Sequence, residues 1–233
     1  MKVLRICFRG RTGSFRIPFS ISGVQLSTPV PSYSNLVGLI SCCVGELMKK
    51  ELTEIGFEFS YDAKALDLER FIRRDFNVKS IGKPILNSAG PGVRQREYLI
   101  NPTLNLYLTN TSLKPYFITP KGIPTLGRSQ DLVCIENVEE IEIEQVKEGN
   151  IGGTLIPYDI LGDNIVNGFL LRLPEYMEYN ESDRKRIPIN NVMFLATNSM
   201  KNKKTHIKLE KNLYGSKSFA DKDDCIYIHK WIL

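Results

Sequence analysis

Apolar and polar positions repeat with two different periods along this chain, and the switches between them mark its elements. Met1–Phe8 sets Val3, Ile6 and Phe8 among Lys2 and Arg5, which is the alternation of a first strand. Gly10, Gly13 and Ser14 break it. From Arg16 to Tyr33 three prolines (Pro18, Pro29, Pro31) and Gly23 dictate an extended, irregular loop. The period then turns helical. Leu36, Leu39, Ile40, Cys43, Val44 and Leu47 recur at helix spacing, Ser32 or Ser34 can supply the N-cap oxygen, and Lys49 and Lys50 suit the negative end of the helix dipole. So apolar a helix belongs against a sheet.

Strand patterns follow. Gly56–Tyr61 carries Phe57, Phe59 and Tyr61 on one face, and Ala65–Phe76 reads as strand or helix. Ser80–Gln95, with Gly82, Pro84, Gly90, Pro91 and Gly92, reads as a hairpin with a mobile tip near Ser88–Gly92. Arg96–Thr109 alternates Tyr98, Ile100, Leu104, Leu106 and Leu108, with Asn101-Pro102 as a kink or strand start. Leu132–Val146 sets Val138, Ile141 and Ile143 among glutamates, a strand with one wet face. Beyond Gly149 come short strands at Gly153–Tyr158, Gly168–Leu173, Val192–Thr197, Thr205–Leu209 and Cys225–Ile232. The loop Thr197–Lys204 is basic, Asn-rich and of disordered composition. There is no repeat at solenoid period. A strand, a long crossover with a helix, then strands and a hairpin predict an α+β, ferredoxin-like domain over 1–148. A small β-rich C-terminal appendage over 149–233 completes the expected chain.

Composition narrows the function classes. The 233 residues are 42% hydrophobic and 24% charged, enough for an ordinary packed core. No window approaches the roughly 18 apolar residues of a membrane helix, and Met1–Gly10 lacks a signal-peptide core, so a cytoplasmic chain without a membrane partner is expected. Five cysteines form no CxxC pair and make a poor disulfide framework. His206 and His229 are too distant for a local metal motif, and no metal or cofactor is expected.

Charge changes the picture more. The net charge of +5 conceals blocks of +5 over 1–45, −2 over 46–76, +6 over 77–130, −6 over 131–148 and +2 over 149–233. Segments nearly free of acid suit a polyanion, because clustered Lys and Arg release counterions. On this basis 1–45 and 77–130 are the expected polyanion-facing surface, and the glutamate strand is expected to turn away from it. Uneven scatter of surface charge is the plainer alternative.

Three segments carry candidate chemistry. Arg9-Gly10-Arg11-Thr12-Gly13-Ser14-Phe15-Arg16 offers three guanidiniums, backbone access and a stacking ring, or else a solvated loop. It lacks the Lys-Ser/Thr of a phosphate loop. The hairpin bearing Lys83, Arg94 and Arg96 could clamp a nucleic-acid backbone, or carry charge merely against edge pairing. Pro124-Thr125-Leu126-Gly127-Arg128-Ser129 could hold a phosphate, or start a helix with Ser129 as N-cap. Catalytic signals are thin. There is no GxSxG, the glutamates of 139–144 alternate as a solvated face, and His229 with Lys230, or a Tyr–Lys pair, is conceivable for RNA cleavage but reads first as strand.

Taken together, Phe15-Arg16-Ile17-Pro18, Thr28-Pro29-Val30-Pro31-Ser32-Tyr33-Ser34, the helix Leu36-Val37-Gly38-Leu39-Ile40 with Gly45, Arg96-Glu97-Tyr98-Leu99 with Asn101-Pro102, and Leu126-Gly127-Arg128-Ser129 resemble the CRISPR-associated family five (Cas-five) subunits of type I Cascade complexes, most of all type I-B. The resemblance spans roughly residues 1–145. It implies an RNA-recognition-like ferredoxin fold with a β-hairpin thumb at Val78–Glu97. It also implies a role in capping the 5′ handle of CRISPR RNA and bridging the large subunit to the backbone subunits, with target DNA met only through the complex. In the type I-C branch the family member cleaves precursor RNA with a Tyr and a Lys-His pair. This chain has no Lys-His dipeptide: Thr205 precedes His206, and His229-Lys230 is reversed. The expectation is therefore a non-catalytic scaffold. Arg9, Arg11 and Arg16 would bind handle phosphates, Lys83, Arg94 and Arg96 would place the thumb, and Arg128 would brace a kinked nucleotide. A metal-independent endoribonuclease and a generic protein of RNA-recognition-like fold are the alternatives.

Overall fold

The computed structural model describes residues 1–17, 24–71, 74–76, 84–86, 92–182 and 184–231. Ten elements organise its first half and its long C-terminal hairpin: β1 (Lys2–Gly10), α1 (Tyr33–Val44), β2 (Ile55–Ser60), β3 (Ala63–Phe71), β4 (Gly92–Ile100), β5 (Thr103–Leu108), α2 (Lys114–Ile118), β6 (Val133–Glu142), and the hairpin of β7 (Gly168–Asn180) with β8 (Lys185–Thr197). A last strand, β9 (Cys225–His229), closes the main sheet. Strands dominate, so the chain leans further towards β than an even α+β balance.

Alternation decides the main sheet. Along β1, Leu4, Ile6 and Phe8 are fully buried and face α1, while Arg5, Cys7 and Arg9 point to the opposite side. Seven strands stand in the order β6-β1-β5-β2-β9, then Leu213–Gly215 and Glu144–Gln145. Within it, β1, α1, β2, β5, α2 and β6 run strand–helix–strand–strand–helix–strand, and every neighbouring pair among their four strands is antiparallel.

Helix α1 begins where its caps dictate. Ser32 Oγ accepts from the Asn35 amide and Asn35 Oδ1 accepts from the Ser32 amide, both at 3.2 Å. It ends at Val44, one turn short of the sequence pattern, because Gly45 takes a left-handed φ of 83° and donates to the Ser41 carbonyl at 2.8 Å. Leu47 is therefore 65% exposed rather than on the helix, and Lys49 and Lys50 lie beyond its last turn.

Two open readings resolve. The run Arg96–Thr109 breaks at Asn101-Pro102 into two strands, turning at Asn101 (φ 50°) so that β4 leaves the main sheet and β5 enters it. The strand-or-helix stretch from Ala65 is a strand, and β3 pairs with β4 from Ala63↔Ile100 to Phe71↔Gly92. The hairpin arms thus start well before Ser80. The expected tip and Lys83 lie outside the described residues.

The chain beyond Gly149 returns to the core. Strand β9 pairs with β2 through Ile228↔Gly56, and the β7–β8 hairpin covers α1 with Leu173, Phe194 and Ala196 buried in the main cluster. Long hydrogen bonds stitch the layers: Tyr33 Oη donates to the Leu155 carbonyl at 2.7 Å, Tyr176 Oη to Met48 O at 2.7 Å, and Trp231 Nε1 to Thr53 O at 2.8 Å. Below them His229 Nε2 lies 2.6 Å from Glu175 Oε1, with both side chains 1% exposed, and the imidazole stacks on Tyr33 at 4.2 Å. Burial holds the Tyr33 phenol well above its ordinary range, and the charges of Tyr227 and Glu175 add to that.

His229→Ala leaves the Glu175 carboxylate buried without its main partner and opens a cavity under Tyr33. Urea unfolding should show a loss of about 3 kcal/mol, the order expected for breaking a buried pair.

Candidate nucleic-acid interface

A groove of about 880 Å³ opens where β1, β2, β5 and β6 end and the 197–204 loop crosses them. Arg9 and Arg11 enter it from the end of β1, and Lys201, Lys203 and Lys204 from that loop. The loop is ordered, contrary to its composition. The Tyr61 amide donates to the Ser199 carbonyl at 3.0 Å, the Lys201 amide donates back to Tyr61 at 3.0 Å, and Ser199 Oγ donates to Pro29 O at 2.7 Å. Gly153 makes the crossing possible, since a Cβ there would stand 2.4 Å from the Phe59 carbonyl. Sequence reading noted the basic composition of this loop but gave it no part in the site. Its proximity to Arg9 and Arg11 across roughly 190 residues leaves no local pattern to find.

Charge is arranged differently from its blocks. The acid-free first strand pairs with the acid-rich sixth, so Arg5 stands opposite Glu139 and forms an ion pair at 3.3 Å. Lys2 and Lys114 share Glu140, each at 3.4 Å. The register shifts between Cys7 and Phe8, leaving Glu136 as the extra residue, and its carboxylate reaches Arg9 at 3.1 Å. The glutamate strand lies beside the basic strand, and the two neutralise each other along the pair. Arg9 keeps 60% of its side chain exposed at the groove rim, and Arg11, also exposed, has no ion pair among the described residues. Lys203 is likewise exposed and without an ion pair there, whereas Lys201 reaches Asp62 at 3.4 Å.

Arg128 has a different environment. Its side chain is 10% exposed, with Nε 2.9 Å from Asp131 Oδ2 and a terminal nitrogen 2.8 Å from Glu69 Oε1; another terminal nitrogen is 3.0 Å from Asp131 Oδ1. Glu69 also accepts from Arg96 Nε at 2.7 Å, and Thr12 Oγ1 donates to the fully buried Asp131 at 2.7 Å. The guanidinium lies over Tyr98 at 5.7 Å. Gly127 brings the turn against the segment that follows β1, with φ 107° and a position where a Cβ would stand 1.9 Å from the Ser14 carbonyl. The turn leads into β6, so Ser129 caps no helix. Hydrogen bonding to Asp131 raises the Arg128 pKa above its ordinary value. Burial pushes the Glu69 carboxyl up, but hydrogen bonds and charge from Arg128 and Arg96 outweigh it and leave the group below the usual range. Arg96 and Arg128 thus knot the base of the β3–β4 hairpin to the turn before β6.

The remaining predicted residues are dispersed. Arg94 is half-buried, its guanidinium 5.0 Å above the Phe71 ring. Arg16 lines a second groove beside α1, apart from Arg9 and Arg11. His229 is sealed in the core, and exposed His206 has Nδ1 3.4 Å from Asn150 Oδ1. Among the described residues no three His, Cys, Asp or Glu side chains cluster to hold a metal, and no helix is long and apolar enough to cross a membrane.

No protein-family model matches the chain, and no curated protein matches it. Its architecture is similar to that of a chain from a CRISPR RNA-guided surveillance complex, at 15% identity over 88% of this chain and 90% of that one, with a TM-score of 0.52. A CRISPR protein from Archaeoglobus fulgidus aligns over the whole of both chains at 11% identity and a TM-score of 0.47. A chain of a type III-B Cmr-beta complex bound to cognate target RNA and AMPPnP aligns over 89% of this chain and 86% of that one, at 11% identity and a TM-score of 0.45. The first shares its fold with this chain.

Arg128→Ala should cost about 3 kcal/mol in urea unfolding at neutral pH by stranding Asp131, whereas Arg9→Ala should lie within error. Glu69 has a folded-state pKa below the unfolded value of about 4.3, so its contribution is present above that pH and disappears as pH falls through the folded value. The gap between the native chain and Arg128→Ala should therefore shrink on acidification below about pH 4.

Proposed function

We propose that this chain is a non-catalytic RNA-binding subunit of a CRISPR effector complex, of the Cas-five kind, that holds the 5′ handle of the guide RNA. One observation carries the reading: Arg9 and Arg11, on the Gly-rich exit of β1, converge with Lys201 and Lys203 on one open groove. Backbone phosphates suit such a site because four converging cations neutralise them without demanding a base sequence. The strand order β6-β1-β5-β2 with two intervening helices supports a ferredoxin-like description, and the fold likeness to a surveillance-complex chain supports the setting.

Within this reading Arg96 and Arg128 hold the thumb base rather than RNA, since carboxylates already engage them. Exposed Arg16 and half-buried Arg94 remain for RNA or for neighbouring subunits. The large subunit and the backbone subunits would be the protein partners, and target DNA would be met through guide pairing.

Arg11→Glu with Lys203→Glu should weaken binding of labelled CRISPR-repeat RNA by about tenfold or more and flatten its salt dependence, with unchanged unfolding. Equal affinity in the double variant would remove the groove from the RNA site. The same labelled RNA, incubated with the native chain in EDTA, should remain intact; site-specific cleavage would replace the scaffold with a metal-independent ribonuclease.

A further inference from the structure

A groove built only for phosphate has no use for carboxylates, yet Glu58 and Asp62 line this one. An acid beside a polyanion is repelled unless it faces a hydrogen-bond donor. Asp62 has its donors on the protein: Asn101 Nδ2 at 2.9 Å and Lys201 Nζ at 3.4 Å, and together they hold its carboxyl below the usual range.

Glu58 is placed differently. It stands on β2 opposite Asn105 of β5, whose Nδ2 reaches Glu58 Oε2 only at 3.4 Å. Gly152 clears room beside the other oxygen, where a Cβ would come within 2.4 Å of Oε1. Asn105 Oδ1 is buried in the groove wall and has no hydrogen-bond partner among the described residues. Lys204 lines the same groove, steadied by Asp224 and by Asp221 at 3.9 Å. The Glu58 carboxylate thus lines the groove beside Asn105, with the Lys204 cation on the same wall.

That pattern discriminates between unpaired bases. The Watson–Crick edge of guanine presents two adjacent donors, N1–H and the N2 amine, beside the O6 acceptor. Adenine and cytosine carry an acceptor ring nitrogen where guanine carries N1–H, and uracil sets one donor between two carbonyls. Only guanine offers a carboxylate two parallel donors and leaves an acceptor for a neighbouring ammonium. Resting on the guide-RNA reading of this groove, we propose that Glu58, with Asn105 and Lys204 beside it, reads the Watson–Crick edge of an unpaired guanine in the bound strand. Arg9, Arg11, Lys201 and Lys203 then grip the backbone while Glu58 sets which base enters.

The test uses the full chain and labelled RNA octamers: uridine alone, and uridine alternating with guanine, inosine, adenine or cytosine. Inosine keeps N1–H and lacks only the N2 amine. The guanine octamer should bind about tenfold tighter than the inosine, adenine and cytosine octamers, the discrimination of one bidentate contact. Glu58→Gln should abolish that preference while binding the uridine octamer at least as tightly as the native chain does, because it removes a carboxylate from beside the backbone. Gly152→Ala, which presses a methyl group onto the carboxylate, should likewise abolish the preference if Glu58→Gln fails to fold. Equal binding of guanine and inosine octamers by the native chain overturns the proposal and leaves the backbone-binding reading standing, as does a guanine preference that survives in Glu58→Gln. Failure to bind any octamer overturns the guide-RNA reading itself.

Discussion

The buried contact between His229 and Glu175 constrains the whole architecture. At 2.6 Å and sealed from water, it is tolerable only while every surrounding group is in place, because a lone carboxylate in that environment is strongly destabilising. Its members come from β9 and β7, its lid is Tyr33 of α1, and Tyr227 and Trp231 pack around the imidazole. Three segments separated by up to about 190 residues must therefore dock together. This is why the last strand is an integral part of the main sheet, and why α1 is held between two layers of strands.

The groove depends on that docking. The 197–204 loop leaves β8 and crosses the ends of β1 and β2, anchored through Tyr61, Ser199 and Pro29. It delivers cations to a place where β1 alone brings two. On the opposite side of the molecule's first strand, the pairing of β1 with β6 sets Arg5 against Glu139 and Arg9 against the bulged Glu136. Neutralisation along the strand and surplus at its end focus positive potential on the groove mouth rather than over the sheet face.

A second knot fixes the hairpin. Arg128 is clamped by Asp131 and Glu69, Arg96 shares Glu69, and Thr12 reaches Asp131, so the short strand after β1, the hairpin base and the turn before β6 move as one unit. In sequence Arg128 looks like a phosphate ligand because a Gly-Arg-Ser turn leaves the guanidinium apparently free. The two acids that clamp it, Asp131 and Glu69, lie 3 and 59 residues away, and Glu69 is brought near only by the folding of β3 against β4.

Local physics by itself determined β1, the capped helix α1, the paired edges of β2 and β5, and the wet glutamate strand, because burial on one face writes a period into neighbouring residues. It also determined that Arg11 lies in a glycine-rich, accessible segment. Tertiary structure decided which charges remain available, since ion pairing is a matter of distance in space and blocks along a chain carry no register. It decided likewise which sheets Asn101 connects, and that Glu58, Asn105 and Lys204 share one wall. Neither has a local signature, because each follows from which strands lie side by side, and long-range hydrophobic burial sets that pairing.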